Sequence, residues 1–258
     1  EYEQKHPDLI QAILLQQNSG VLEVAKLLDT VCHAKYACIL DADDYWSYPE
    51  KIQLQIQFLE NNPEYAGCFH DAEILTSVPV LGNALSVRSQ NIHKTYSQFN
   101  AYKPDMFPAD IVKRTIIPTA SLVFRRKPLL HVLQQQTDYV SLFWVLQLEI
   151  IKSSKFRYFN ECWSVYRDHP AGVSKTHNLM RFKKQHINVL SHLLLDPFYK
   201  YHKADIYESL ASEYRNMIWS AEHEPDNKQP MPSLIRNYRH FSKLALKHRS
   251  REFKKRFL

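Results

Sequence analysis

The segment YACILDADDYW, Tyr36 to Trp46, sets three aspartates, Asp41, Asp43 and Asp44, directly behind an apolar run. Three carboxylates within four residues repel one another and favour a cation. Residues two apart on an extended segment point to the same side, so Asp41 and Asp43 can face one pocket while Ala42 faces the core. A hard ion such as Mn2+ or Mg2+ takes one or two carboxylates and fills its other positions with phosphate oxygens and water. The spacing therefore suits a divalent metal presenting a nucleotide diphosphate. A calcium loop of the EF-hand type would need an oxygen ligand at Tyr45, glycine at Trp46 and glutamate at Ile52, and all three positions fail. An aspartyl phosphotransferase also places Asp after a buried strand, but Tyr45 stands where a hydroxyl residue is expected shortly after the second Asp. A solvated acidic turn that caps the next helix is the plainest alternative.

The elements that must hold these groups follow from the pattern around them. YACIL lacks alternation, as expected of a central strand covered on both faces, and its carboxylates then sit at the strand's carboxyl end. In open α/β sheets the ligand crevice lies there. In YPEKIQLQIQFLENNP the positions Ile52, Ile56 and Leu59 recur at helical spacing, Pro49 suits a first helical position, and Asn61, Asn62 and Pro63 end the element. AGCFHDAEIL reads as a further strand, and Leu81 to Pro108 as a long polar excursion of the kind that serves as a lid. TASLVFRR reads as a strand and TDYVSLFWVLQLEIIKSS as a helix capped by Thr137 or Asp138. FRYFN and WSVYRDH suggest two short extended pieces. Beyond about Lys175 the chain turns amphipathic and helical, with Ile187, Leu190 and Leu194 on one face.

CILDADDYW followed by PEKIQLQIQFLENNPEYAGCFHDAEI resembles the DxD segment of the family-two glycosyltransferases, the GT-A nucleotide-sugar enzymes. IIPTASLVFRR is similar to their acceptor-side strand. The stretch from Thr137 to Ser174 is similar to the family's acidic residue, helix and YRxHxxGxS ending, in the right order. The resemblance covers about residues 1–174. It implies an α/β fold of GT-A type, a Rossmann-like mixed sheet flanked by helices, over residues 1–175, followed by a helical C-terminal region over 176–258. It implies a hexosyltransferase-like enzyme that moves a sugar, with inversion, from a nucleotide-diphosphate sugar, UDP-linked above others, to an acceptor hydroxyl in surface glycan or glycolipid synthesis. The acceptor would be a saccharide or a lipid-linked saccharide.

Carried over residue by residue, Asp43 resembles the metal-binding Asp, and Asp41 the one that meets the donor's ribose or helps at the metal. Asp44 would lie beside them on the cofactor or cap the helix. Asp138 sits where the family keeps its general base, with the cap of the following helix as the alternative role. His169 takes the position of a histidine that approaches the metal and diphosphate. Two departures stand against the pattern. EYEQKHPDLIQAILLQQNSG looks like the helix and strand that follow the family's first strand and acidic turn, so the first strand is expected to be missing. VLEVAKLLDTVCHAKY lacks the Arg-Asn pair that many members carry after the Asn-x-Gly turn.

The wider composition agrees with a globular chain. It has 258 residues, 45% hydrophobic and 23% charged, with four glycines and no glycine-rich phosphate loop. No apolar run reaches the roughly 18 residues of a membrane span, and Glu1 opens no signal sequence. Four cysteines without CxxC spacing indicate unpaired thiols in a reducing compartment. The expected location is cytoplasmic, at the inner face of the cell membrane. The net charge of +6 concentrates in RHFSKLALKHRSREFKKRFL, which reads either as a basic helix lying on an anionic membrane or as a solvated helix with one buried face. Nucleic acid is the weaker partner, because basic residues interleaved with aromatics do not recur elsewhere. The rival function is a GT-A-like module that binds nucleotide or glycan without turnover.

Overall fold

A computed structural model describes residues 1–76, 94–126, 142–169, 179–223 and 230–257. The chain divides into two compact units, one containing Glu1–His33 and the other Ala34–Lys127 with Ser141–Leu258.

In the first unit, helices α1 (Tyr2–Lys5) and α2 (Gly20–Val31) flank an irregular segment. The strand expected within EYEQKHPDLIQAILLQQNSG does not form. Leu9 and Leu14 are exposed, and a strand needs a ladder partner that no described segment provides here. The Asn-x-Gly turn is present: the Asn18 side-chain oxygen accepts the Gly20 N–H at 3.0 Å, and Gly20 takes φ +78°, which its missing Cβ permits.

The second unit runs β1 (Tyr36–Cys38), β2 (Tyr45–Trp46), α3 (Lys51–Asn61), β3 (Tyr65–Thr76), β4 (Lys94–Thr95), β5 (Asp105–Met106), α4 (Pro108–Ile111), β6 (Val123–Arg125), α5 (Leu142–Ile150), β7 (Lys155–Asp168), α6 (Leu179–Leu193), α7 (Lys203–His223) and α8 (Met231–Phe257). The seven strands form one mixed sheet in the order β1-β6-β3-β7-β2, with β4 added to β3 and β5 to β7. β3 and β7 are parallel from Tyr65 opposite Lys155 to Thr76 opposite Asp168, and the other pairs are antiparallel. Since β6 opposes both β1 and β3, the carboxyl ends of β1, β3 and β7 all lie on one side. The fold is thus mixed α/β with a helical C-terminal region.

The fully covered strand is β3, whose residues Tyr65 to Ala72 are all buried, and not β1. β1 is half-buried at one end of the strand order, because its ladder partner among the described residues is β6 alone. Gly67 faces Phe124 across the β3–β6 ladder so closely that a Cβ there would stand 2.8 Å from the Val123 carbonyl oxygen. Gly67→Ala is expected to cost about 1–3 kcal/mol through this overpacking, read as a lowered midpoint in urea unfolding. The pieces FRYFN and WSVYRDH are one strand interrupted by a bulge. Across the step from His70 to Ala72 on β3, β7 advances from Phe159 to Ser164, so residues 160–163 contain the extra length.

Arg125 at the end of β6 ties four elements together. Its guanidinium donates to the carbonyls of Tyr65 (2.9 Å), Asn62 (3.3 Å) and Leu59, and to the Tyr36 hydroxyl (3.0 Å). The Leu59 and Asn62 carbonyls belong to the carboxyl end of α3, where a cation also meets the negative end of the helix dipole.

α3 turns a different stripe to the sheet from the one its apolar spacing predicts. Lys51, Gln55 and Leu59 are buried, while Ile52 and Ile56 are half-buried on the flank. Gln55 Nε2 donates to the carbonyls of Cys68 (3.0 Å) and Ser121 (2.9 Å), which compensates its burial. Lys51 is 1% exposed, has no hydrogen-bond partner for Nζ among the described residues, and lies 4.6 Å over the Trp46 ring. Burial lowers its ammonium pKa to about 8. The titratable groups around it carry no charge near neutrality: burial raises the Cys38 thiol, pushes Cys68 up to about 12, and lowers His70 to about 3. Between about pH 8 and the ordinary value of 10.5, the unfolded chain keeps a proton that the folded chain has released. Stability contributed by this group therefore rises with pH across that window. Lys51→Met is expected to flatten that rise and to gain about 1–2 kcal/mol at pH 7, measured by denaturant unfolding from pH 7 to 10.5.

The stretch 94–108 is not loop throughout. β4 pairs with Glu73 and Ile74, β5 pairs with Phe156 and Arg157, and Met106 is 1% exposed. A lid could use only the part of Leu81 to Pro108 that precedes it, and residues 77–93 lie outside the described residues.

α5 is apolar nearly all round and buried, as expected of a helix covered on several sides. Trp144 Nε1 donates to the Ile111 carbonyl at 2.8 Å, and its ring meets His186 of α6 at 4.9 Å. Tyr199, fully buried, donates its hydroxyl to the Leu148 carbonyl at 2.6 Å. These contacts seat the C-terminal helices on α5. Among the described residues no helix is long and apolar enough to cross a membrane. All four cysteines are free.

Candidate functional site

The acidic segment forms a tight turn between β1 and β2, closed by the Asp44 N–H on the Asp41 carbonyl at 3.0 Å. β2 then pairs with the far end of β7, Tyr45 opposite Val165 and Trp46 opposite Ser164. That pairing lays the turn against Arg167–His169. Arg167 holds it twice: its N–H donates to Asp44 Oδ1 at 3.0 Å, and its Nε donates to the Asp43 carbonyl. The Asp43 carboxylate is left half-exposed, and its Oδ2 lies 3.0 Å from His169 Nε2. The site therefore stands beyond the carboxyl ends of β1, β3 and β7.

The carboxylates differ in environment. Asp44 is buried, and loss of solvent followed by the charges of Asp43 and Asp41 pushes its pKa up to about 6, against the stabilising Arg167 N–H. Asp41 is also raised, by desolvation and then by Asp43, while a hydrogen bond with Thr119 opposes the shift. Tyr96, in the short 3-10 turn after β4, has its hydroxyl pKa raised by burial and then by the neighbouring Tyr166, with Asp44, Asp168 and Asp41 adding to it. The buried Asp71 carboxylate accepts the Ser97 N–H at 3.0 Å and so fixes that turn.

Three of these residues escaped the sequence reading. Arg167 falls within the YRxHxxGxS ending, whose pattern gives it no separate role; Thr119 and Tyr96 carry no local signal, because each reaches the acidic turn only through the sheet. Asp41, Asp43, Asp44 and His169 are brought together. Asp138 lies outside the described residues, as do Gly172 and Ser174 of the YRxHxxGxS ending.

No protein-family model matches the chain. Uncharacterized proteins of Mycobacterium bovis and Mycobacterium tuberculosis are similar to it, each 25% identical over 173 residues, covering 67% of this chain and 46% of the relative. The chain thus spans about half the length of the curated relatives it matches.

No group of three or more His, Cys, Asp or Glu side chains that could hold a metal ion occurs among the described residues. The residues present do fit a hard ion that takes most of its ligands from substrate and water. Asp43 Oδ2 and His169 Nε2, hydrogen-bonded at 3.0 Å, would be the two side chains to hold such an ion, with substrate and water supplying its other ligands. Burial first, and the neighbouring aspartate charges second, raise the pKa values of Asp41 and Asp44.

A separate cleft of about 440 Å³ opens along the first half of β7, lined by Tyr102, Pro104, Arg157, Tyr158 and the bulged Asn160 and Glu161, and it includes none of the residues above.

Proposed function

We propose that this chain is a metal-dependent glycosyltransferase of the GT-A type, transferring a sugar from a nucleotide-diphosphate sugar to an acceptor hydroxyl with inversion. One observation carries the reading: Asp43 and His169, 126 residues apart in sequence, meet at 3.0 Å beyond the carboxyl ends of the co-directional strands. In this reading Asp43 and His169 hold Mn2+ or Mg2+. The bound ion supplies Lewis-acid neutralisation of the departing diphosphate.

The chain's own residues do the rest. Arg167 positions the turn so that Asp43 faces outward, and its clamp on Asp44 resists displacement by the incoming anion. Asp41, held by Thr119, meets the donor's ribose. Asp138 removes the proton of the acceptor hydroxyl as that oxygen attacks the anomeric carbon from the face opposite the leaving group. The donor is a UDP-sugar and the acceptor a saccharide or lipid-linked saccharide.

Calorimetric titration of the chain with UDP, with Mn2+ and then with a chelator, tests the reading. Mn2+-dependent binding, together with slow Mn2+-dependent hydrolysis of a UDP-sugar, is expected. Binding without hydrolysis would favour the second reading, a non-catalytic nucleotide-binding module, which the mutual Asp43–His169 contact also suits because it satisfies both groups without a ligand. Absence of binding to UDP and to the other nucleoside diphosphates would overturn both.

A further inference from the structure

α7 and α8 form an antiparallel pair whose contacts settle which side of α8 faces inward. Phe241 stacks between Tyr207 and Tyr214 at 6.2 and 5.6 Å, Leu234 packs on Met217, and Arg249 bridges to Asp205 at 2.7 Å and Glu208 at 2.8 Å. At 3.6 residues per turn the opposite side carries Arg236, Arg239, Lys243, Leu246 and Lys247, all exposed. Leu246 is 69% exposed in the midst of these cations. Among the described residues none of the four cations makes an ion pair, whereas Arg249, on the flank, makes two close ones. Over its full length α8 holds nine basic residues and one acidic residue, more positive charge than the +6 of the whole chain.

We infer that this outer face of α8 docks on an anionic phospholipid surface. A straight row of cations matches a planar layer of headgroup phosphates and carboxylates, and Leu246 supplies an aliphatic side chain for the boundary beneath them. The same charge would attract nucleic acid, but a single-strand binder also presents aromatic rings to bases. Here Phe241 is spent inward on Tyr207 and Tyr214, and among the described side chains the outer face offers no Phe, Tyr or Trp, with His240 the one ring at its border. The inference stands apart from the acidic turn and from any glycosyl transfer.

Co-sedimentation of the full chain tests it, using phosphatidylcholine vesicles with and without phosphatidylserine. Binding is expected with phosphatidylserine and not without it, and is expected to weaken as salt rises. Replacing Arg236, Arg239, Lys243 and Lys247 together by Gln should lower partitioning by roughly a hundredfold or more. Leu246→Ser should lower it by a smaller factor. A control with Lys5, Lys26, Lys35 and Lys103 changed to Gln removes the same charge elsewhere and should bind like the parent. Circular dichroism verifies that each variant is folded. Equal loss in the two quadruple variants would overturn the inference in favour of diffuse charge, as would binding without phosphatidylserine or tighter binding to a random RNA than to the vesicles.

Discussion

Asp43→Asn is expected to remove Mn2+-dependent UDP binding, with affinity falling at least roughly a hundredfold to the level measured in chelator. The change keeps the size of the side chain and discards its charge. The fold should tolerate it, because Arg167 holds the Asp43 carbonyl rather than its carboxylate, and the amide oxygen can still accept from His169 Nε2. Calorimetry with and without Mn2+ measures the loss, and unchanged urea unfolding separates it from misfolding. Asp138→Asn is expected to behave oppositely: UDP binding stays within a few-fold of the parent while UDP-sugar hydrolysis and transfer fall by about 10²–10⁴. The pair divides the proposed machinery into holding the donor and activating the acceptor. Retained Mn2+-dependent binding in Asp43→Asn would remove Asp43 from the metal, and with it the central observation of the proposal.

Trp144→Ala is expected to destabilise the larger unit by about 3–5 kcal/mol. The indole is 1% exposed, so its removal leaves a large cavity, and it also strands the Ile111 carbonyl that Nε1 now satisfies. The loss is expected in a single transition. α5 packs on the sheet side through Ile111 and Ile117, whose carbonyl accepts from Gln147 at 3.3 Å, and on the helical side through His186 and Tyr199. Denaturant unfolding followed by far-ultraviolet dichroism and by tryptophan fluorescence should give coincident curves in both parent and variant. Separate transitions for sheet and C-terminal helices would show that the two regions fold independently, with a boundary near residue 175.

These three variants probe features of unequal visibility in the chain. The acidic turn was legible because its signal is local: a short apolar run, three aspartates and a helix with its stop occupy 28 consecutive residues, 36–63. β3 and the amphipathic C-terminal helices were legible for the same reason. The stripe by which α3 meets the sheet was not. Apolar spacing marks Ile52 and Ile56, yet Lys51 and Gln55 are the buried neighbours of Leu59, since the carbonyls of Cys68 and Ser121 reward a buried amide at that place. Nor could spacing reveal that Arg125 closes the end of α3, or that β1 lies at one end of the strand order.

The sequence by itself marked the aspartates that are candidates for a cation and most of the helices and strands of the larger unit, because those signals depend on side-chain type and on neighbours a few positions away. Only the tertiary structure decided that Asp43 faces His169, that Arg167 holds the turn by two hydrogen bonds, and that Thr119 and Tyr96 stand beside it. Those meetings are set by the β2–β7 pairing and by the parallel register of β3 with β7, in which a bulge at 160–163 shifts every later residue of β7 along its partner. Register is a property of two strands at once, and neither strand's own pattern specifies it.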